Sequence, residues 1–317
     1  MLVRLRLLGY VAIDGRARFG GTVTYDDETA RLRVASFGAR AIVMVALVIA
    51  VSAPFATSAS ARGQTLRPGD KYVALGSSFA SGPAIPDPAD TSTCLRSTHN
   101  YSHLVAAKLK LALTDATCGA ATTDNVLTTP QGTNPPQIDA VTPDAKLITI
   151  TIGGNDVNYT VSNLGCAASG AKGQNCVGNG VNPQDIAAAL AALPGKMANM
   201  FGAIKDKAPK ARVIVLPYPR VLPSSATPCP PSAPMQPTDM KFLVDFGDKL
   251  HTIIKQSAAT AKVDYVETYT PTGHDACAAP ARRWIEGQTP ASAAFPFHPN
   301  GAGMSAQAKL ILKRLQS

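Results

Sequence analysis

Three short segments hold residues that could act together on a carbonyl carbon: Gly76-Ser77-Ser78-Phe79, Gly153-Gly154-Asn155-Asp156 and His298-Pro299-Asn300. A serine hydroxyl is a weak nucleophile until a neighbouring imidazole takes its proton, and the oxyanion its attack creates needs preorganised N–H donors. Ser78, His298 and Asn155 are of the right types for nucleophile, base and donor. Taken alone, the first two segments read as turns. The combination of all three points to acyl transfer, provided the fold brings them together.

The elements that must position them can be read from periodicity. Residues 71–76 form a short apolar run ending in small residues, as expected of a buried parallel strand, so Ser78 lies just past a strand's carboxyl end. Apolar residues at helical spacing predict a helix over 100–113, and β-branched runs predict strands at 146–152 and 212–216. Asn182-Pro183 supplies a helix cap and a first-turn proline. Pro194-Gly195 interrupts the helical stretch opened there, so two helices are expected between 183 and 207. A helix over 238–261, a last strand over 262–267 and a terminal helix over 302–315 complete the chain. Strands alternating with helices imply an α/β fold, a three-layer α/β/α sandwich around a mostly parallel sheet, in one domain spanning 62–317. Ligands of such sheets bind at the carboxyl ends of the strands.

Composition narrows the function. The 317 residues carry a net charge of +9 and are 45% hydrophobic. The basic excess is spread thinly, with no like-charge run and no basic stripe interleaved with aromatics beyond residue 61, which argues against nucleic-acid binding. The Gly153-Gly154 pair lacks dinucleotide-loop spacing, so no cofactor is expected. Ala80 stands where the nucleophile elbow of α/β-hydrolases needs glycine.

The first 61 residues read as an N-terminal extension with an export signal. An uncharged apolar core at 41–53 follows Arg31, Arg33 and Arg40 and precedes Ala59-Ser60-Ala61, an A-x-A cleavage pattern. The core is shorter than the roughly 17 to 25 residues of a spanning helix, so cleavage near Ala61 is favoured over an anchor. Either outcome places the domain outside the cytoplasmic membrane, secreted or in the cell envelope. Six cysteines, all beyond this segment and with no C-x-x-C pair, suggest three disulfides and no metal site. Sequential pairing is expected: Cys94 with Cys118, Cys166 with Cys176, Cys229 with Cys277. The Cys166–Cys176 segment is expected to be a loop near the site.

Val73-Ala-Leu-Gly-Ser-Ser-Phe-Ala-Ser-Gly82 resembles the first block of the SGNH, or GDSL-type, hydrolase superfamily, and Thr151-Ile-Gly-Gly-Asn-Asp156 resembles its Gly-x-Asn-Asp block. Cys118-Gly-Ala-Ala-Thr-Thr-Asp124 and Phe297-His-Pro-Asn-Gly301 occupy the places of the second and fifth blocks. Similarity around Tyr218-Pro-Arg220, Gly273-His-Asp-Ala-Cys277 and Arg283-Trp-Ile-Glu286 points to the actinobacterial secreted esterase and lipase branch. The resemblance implies a flavodoxin-like SGNH fold, Ser78 as nucleophile and His298 as base. It also implies an oxyanion hole built from the Ser78 N–H, the Asn155 amide and a backbone N–H at Gly119 or Ala120, depending on how the second block is registered.

The sequence departs from the family pattern at two positions. Ser77 stands where an Asp is usual, which is expected to reduce or alter activity at most. Phe295 stands where the family usually has the Asp that orients the imidazole, so a Ser–His dyad is expected. Some members of the branch use a backbone carbonyl there, and the Phe295 carbonyl is the expected acceptor, with Asp275 as the alternative. The expected partner is an ester substrate, lipid or acylated glycan, met by a monomer with possible envelope association. A non-catalytic envelope protein binding a ligand or glycan, and an acyltransferase, are the competing readings.

Overall fold

The computed structural model describes residues 65–317; the export-signal reading and the boundary at residue 61 lie outside the described residues. Five strands make the sheet: β1 (Lys71–Gly76), β2 (Ala112–Asp115), β3 (Leu147–Thr151), β4 (Arg212–Val215) and β5 (Asp264–Tyr265), in the order β2-β1-β3-β4-β5. Every neighbouring pair is parallel. Alternating residues serve opposite faces. Val73, Leu75, Ile148, Ile150, Val213 and Val215 enter one buried cluster, whereas Tyr72, Ala74, Leu147 and Ile214 enter another. Central strands are therefore apolar nearly throughout, as a sheet covered on both faces requires.

The helices are α1 (Ser78–Ser81), α2 (Tyr101–Leu109), α3 (Thr123–Leu127), α4 (Tyr159–Gly170), α5 (Pro183–Lys207), α6 (Pro237–Ala261) and α7 (Gly301–Leu315). Val105 of α2 and Met304, Ala308 and Ile311 of α7 cover the face of Tyr72, while α5 and α6 cover the face of Val73. The result is the expected three-layer sandwich. The chain leaves β1 towards β2 on one side and returns to β3 on the other, so the order reverses between β1 and β3. That reversal opens a crevice at the strands' carboxyl ends. Ser78 follows β1 and Asn155 follows β3, with Gly76 paired to Thr151 in register.

Several expectations are corrected. Only residues 101–109 of the predicted 100–113 helix are helical; Lys110 takes a left-handed φ of 57° and β2 follows. Strand β2 escapes prediction because it sits at a sheet edge with no fully buried residue. The predicted break at Pro194 does not occur, and α5 runs through it. Pro194 and Gly195 lie exposed, while Leu190, Leu193, Met197 and Phe201 keep the buried stripe continuous across them. Tertiary packing of this stripe outweighs the backbone hydrogen bond that Pro194 cannot donate. The last strand shrinks to two residues. Cys166 lies within α4 rather than in a loop, which begins only after Gly170. The three disulfides join Cys94 to Cys118, Cys166 to Cys176 and Cys229 to Cys277.

Candidate active site

The sheet brings Ser78 and His298, 220 residues apart in sequence, to a hydrogen bond of 2.8 Å between Oγ and Nε2. Ser78 opens α1 directly after β1. The sharp exit from the strand depends on Gly76, whose φ of 134° and approach to Thr151 leave no room for a Cβ, which would lie 2.5 Å from the Thr151 carbonyl oxygen. His298 precedes α7, which Asn300 caps by accepting the Gly303 N–H at 2.9 Å. Both side chains are enclosed, with Ser78 8% and His298 3% exposed.

The second imidazole nitrogen fixes the tautomer. His298 Nδ1 lies 2.8 Å from the Pro296 carbonyl, which can only accept, so Nδ1 carries the proton and Nε2 is left to accept from Ser78. Burial pushes the imidazole pKa down to about 4, against the opposing pull of the Pro296 carbonyl. The ring is thus neutral over the whole neutral range and ready to take a proton.

The carbonyl that faces Nδ1 is thus neither of the two groups expected there. The Phe295 carbonyl accepts the backbone N–H of His298 at 3.1 Å. Phe297, at φ 56°, turns the chain between them, and the Pro296 carbonyl meets the ring instead. Asp275 is committed to its own loop, accepting the Cys277 N–H at 2.9 Å.

The oxyanion candidates separate equally clearly. The Gly119 N–H donates to the Cys94 carbonyl at 2.9 Å and is spent. Ala120 is exposed, in the left-handed region at φ 62°, and among the described residues neither its N–H nor that of Ser78 has a hydrogen-bond acceptor. Asn155 donates from Nδ2 to the Ala121 carbonyl at 2.9 Å, which locks its amide orientation and leaves its other N–H free. Asp156 braces the same region, accepting from the Thr123 N–H at 3.0 Å and the Thr123 hydroxyl at 2.6 Å. A capping box between Thr122 and Asn125 closes the turn into α3. Of the two N–H groups, that of Gly119 is engaged and that of Ala120 is not.

Sequence reasoning noticed Tyr218 without giving it a role. Its buried hydroxyl accepts the Gly154 N–H at 2.8 Å and meets the Ser77 hydroxyl at 3.2 Å. It thus links the residue before Ser78 to the residue before Asn155. Its ring presses so closely on Gly154 that a Cβ there would lie 2.6 Å from it. Phe79 packs edge-on against Tyr218, with centroids 4.6 Å apart, and at a tilt against the His298 ring, with centroids 4.8 Å apart. Ser77 can replace an Asp here because a buried hydroxyl needs only this one partner, whereas a carboxylate would be a buried charge.

The remaining histidines stay outside the site. His251 stacks on Tyr269 and His274 on Trp284, and His103 lies 3.4 Å from Asp115. Cys166, Cys176 and Asp239 form a compact group of ligand types. The two sulfurs are bonded to each other, and Asp239 accepts the N–H groups of Cys176 and Val177.

A parallel sheet in this order, with serine, asparagine and histidine segments gathered at its carboxyl end, has the architecture of the SGNH hydrolases. Residues 74–306 match the GDSL-like Lipase/Acylhydrolase family, and the chain belongs to it. It is 36% identical to Lipase 2 of Streptomyces coelicolor over 73% of this chain and 81% of that one. It is 30% identical to Lipase 1 of the same organism over 82% of this chain and 91% of that one. Among solved structures, it resembles phospholipase A1 from Streptomyces albidoflavus NA297 with a TM-score of 0.64 and 26% identity, covering 77% of this chain and 99% of that chain. It also resembles an extracellular lipase from Streptomyces rimosus, with a TM-score of 0.60 and 25% identity over 78% of this chain and 99% of that one. The protein is a carboxylic ester hydrolase.

Proposed function

We propose that this chain is a secreted esterase or lipase that works through an acyl-enzyme on Ser78 with a Ser–His dyad. Ser78 Oγ attacks the ester carbonyl carbon as His298 Nε2 takes its proton, and the Pro296 carbonyl steadies the imidazolium. The resulting oxyanion is met by the N–H groups of Ser78 and Ala120 and by the Asn155 amide. Collapse breaks the bond to the alcohol, which leaves with the proton from Nε2. Water, deprotonated by the same nitrogen, then releases the acid.

The observation that carries this reading is the 2.8 Å contact between Ser78 Oγ and a His298 Nε2 whose tautomer is fixed from the other side. The substrate is a hydrophobic acyl ester. Two large apolar side chains left in solvent support this: Phe295 lies against the His298 ring, and the exposed Leu95 is beside Gly119. Secretion is supported by the signal grammar before residue 62, by three disulfides and by the extracellular lipase among the similar structures. Among the described residues, no helix is long and apolar enough to cross a membrane.

The test is intact-mass analysis after treatment with a fluorophosphonate. A single adduct on the wild type and none on Ser78→Ala is the expected result. A folded, disulfide-intact wild type that takes no adduct would overturn the acyl-enzyme reading in favour of a ligand-binding role.

A further inference from the structure

The imidazole of His298 leans on a backbone carbonyl, and a carbonyl is only as well placed as the chain that bears it. Residues 287–297 contain no helix or strand. They leave and return at one point: Ile285 bridges Pro299, the Glu286 N–H donates to the His298 carbonyl at 3.0 Å, and the Asn300 N–H donates to the Trp284 carbonyl at 2.9 Å. Inside that closure sits one carboxylate, Glu286, only 1% exposed.

Its two oxygens reach both limbs of the loop. Oε2 accepts the Ala291 N–H at 2.8 Å, and Oε1 accepts the Ser292 hydroxyl at 2.5 Å and the Asn300 amide at 2.7 Å. Arg283 stands 3.7 Å away as counter-charge. Asn300 in turn caps α7 and donates to the Arg283 carbonyl. Burial pushes the Glu286 carboxyl up, but the hydrogen bonds from Ser292, Asn300 and Ala291 outweigh it and hold the group below the usual carboxylate range. A carboxylate so enclosed is tolerated only when its lone pairs are filled, and here the donors that fill them flank His298 on both sides.

We propose that Glu286 is a positioning residue for the dyad: it fixes the 286–300 loop so that the Pro296 carbonyl holds His298, taking over from one layer away the duty of a carboxylate on the imidazole. It makes no hydrogen bond to the ring and acts only through the loop. The proposal rests on the acyl-enzyme reading for its kinetic consequence, but not for its structural one.

The test uses the full chain with its disulfides intact, comparing wild type, Glu286→Gln and Ser292→Ala. Active sites are titrated with a fluorophosphonate, kcat and KM are measured on a p-nitrophenyl ester, and the downfield Nδ1 proton of His298 is followed by NMR. Gln keeps the shape but turns an amide N–H towards the groups that now donate to Oε1 or Oε2. Glu286→Gln should lower kcat per titrated site by about tenfold or more with KM within about threefold, and should shift or broaden the Nδ1 resonance. Ser292→Ala, which removes a single donor, should do the same to a smaller degree and decides the matter if Glu286→Gln fails to fold. A variant that melts earlier but keeps kcat per site and an unchanged Nδ1 resonance would reduce Glu286 to a stabilising group and overturn the proposal. A wild type that hydrolyses no ester would sink the acyl-enzyme reading, while the NMR comparison would still decide the role of Glu286.

Discussion

Gly119 and Cys94 are joined backbone to backbone, by the 2.9 Å hydrogen bond from the Gly119 N–H to the Cys94 carbonyl, one residue from the disulfide that ties Cys94 to Cys118. This double link holds the peptide of Gly119 and leaves the next N–H, that of Ala120, without an acceptor among the described residues. The cost is borne by Ala120 itself, held at φ 62° where glycine is favoured.

Ala120→Gly is therefore expected to keep the donor and relieve the strain. A left-handed alanine costs about 1–2 kcal/mol, and the added freedom of glycine in the unfolded chain takes back about 0.4–1 kcal/mol. Thermal unfolding should show a small net gain, about 0.5–1 kcal/mol, with kcat within about twofold of wild type. A clear loss of kcat would mean the N–H is not where the oxyanion forms.

Asn155→Ala should lower kcat by about 10²- to 10³-fold with little change in KM, as removal of one oxyanion donor does elsewhere. Steady-state kinetics on an activated ester checks this. An unchanged kcat would remove Asn155 from the site.

The acid limb of kcat/KM should fall near the His298 pKa of about 4 rather than at 6.5. The same depression makes stability pH-dependent. Between these two values the unfolded chain binds a proton that the folded protein does not, so stability is full above about 6.5 and declines as the pH falls towards 4. The loss from this group alone is on the order of 3 kcal/mol. Denaturant melts across that range, with His298→Gln as control, measure it.

Asp275→Asn should leave kcat/KM within about twofold, because the amide oxygen can still accept the Cys277 N–H and the imidazole makes its Nδ1 hydrogen bond to Pro296 instead. A fall comparable to that of His298→Ala would restore Asp275 as the orienting group.

Tyr218→Phe strands the buried Gly154 N–H, which costs about 1–3 kcal/mol of stability. Because that N–H adjoins Asn155 and the other partner is Ser77, kcat should fall more than KM rises. Equal activity per folded molecule would confine Tyr218 to a packing role.

The class of fold and the Ser78–His298 pair were both legible in the amino-acid order. Continuous apolar runs such as Val73–Leu75 are satisfied by a sheet covered on both faces, and strand–helix alternation then makes it parallel. Turn-forming Gly-Ser and Gly-Asn segments at strand ends must converge, because parallel strands share one carboxyl edge. Pro194 shows the limit of local rules, since a propensity worth a few kcal/mol yields to a buried stripe that runs straight through it. The backbone assignments, by contrast, waited on the folded chain. The choice of Pro296 over Phe295 as the acceptor for His298 Nδ1, and of Ala120 over Gly119 as the free donor, depends on which peptide group is already bonded to a distant neighbour. Tyr218 and Glu286 belong with them, because their partners Ser77, Gly154, Ala291 and Asn300 become neighbours only when the loops close. Every residue but proline carries the same N–H and C=O whatever its side chain. Sequence names the side chains, and long-range packing settles which of those groups are left free.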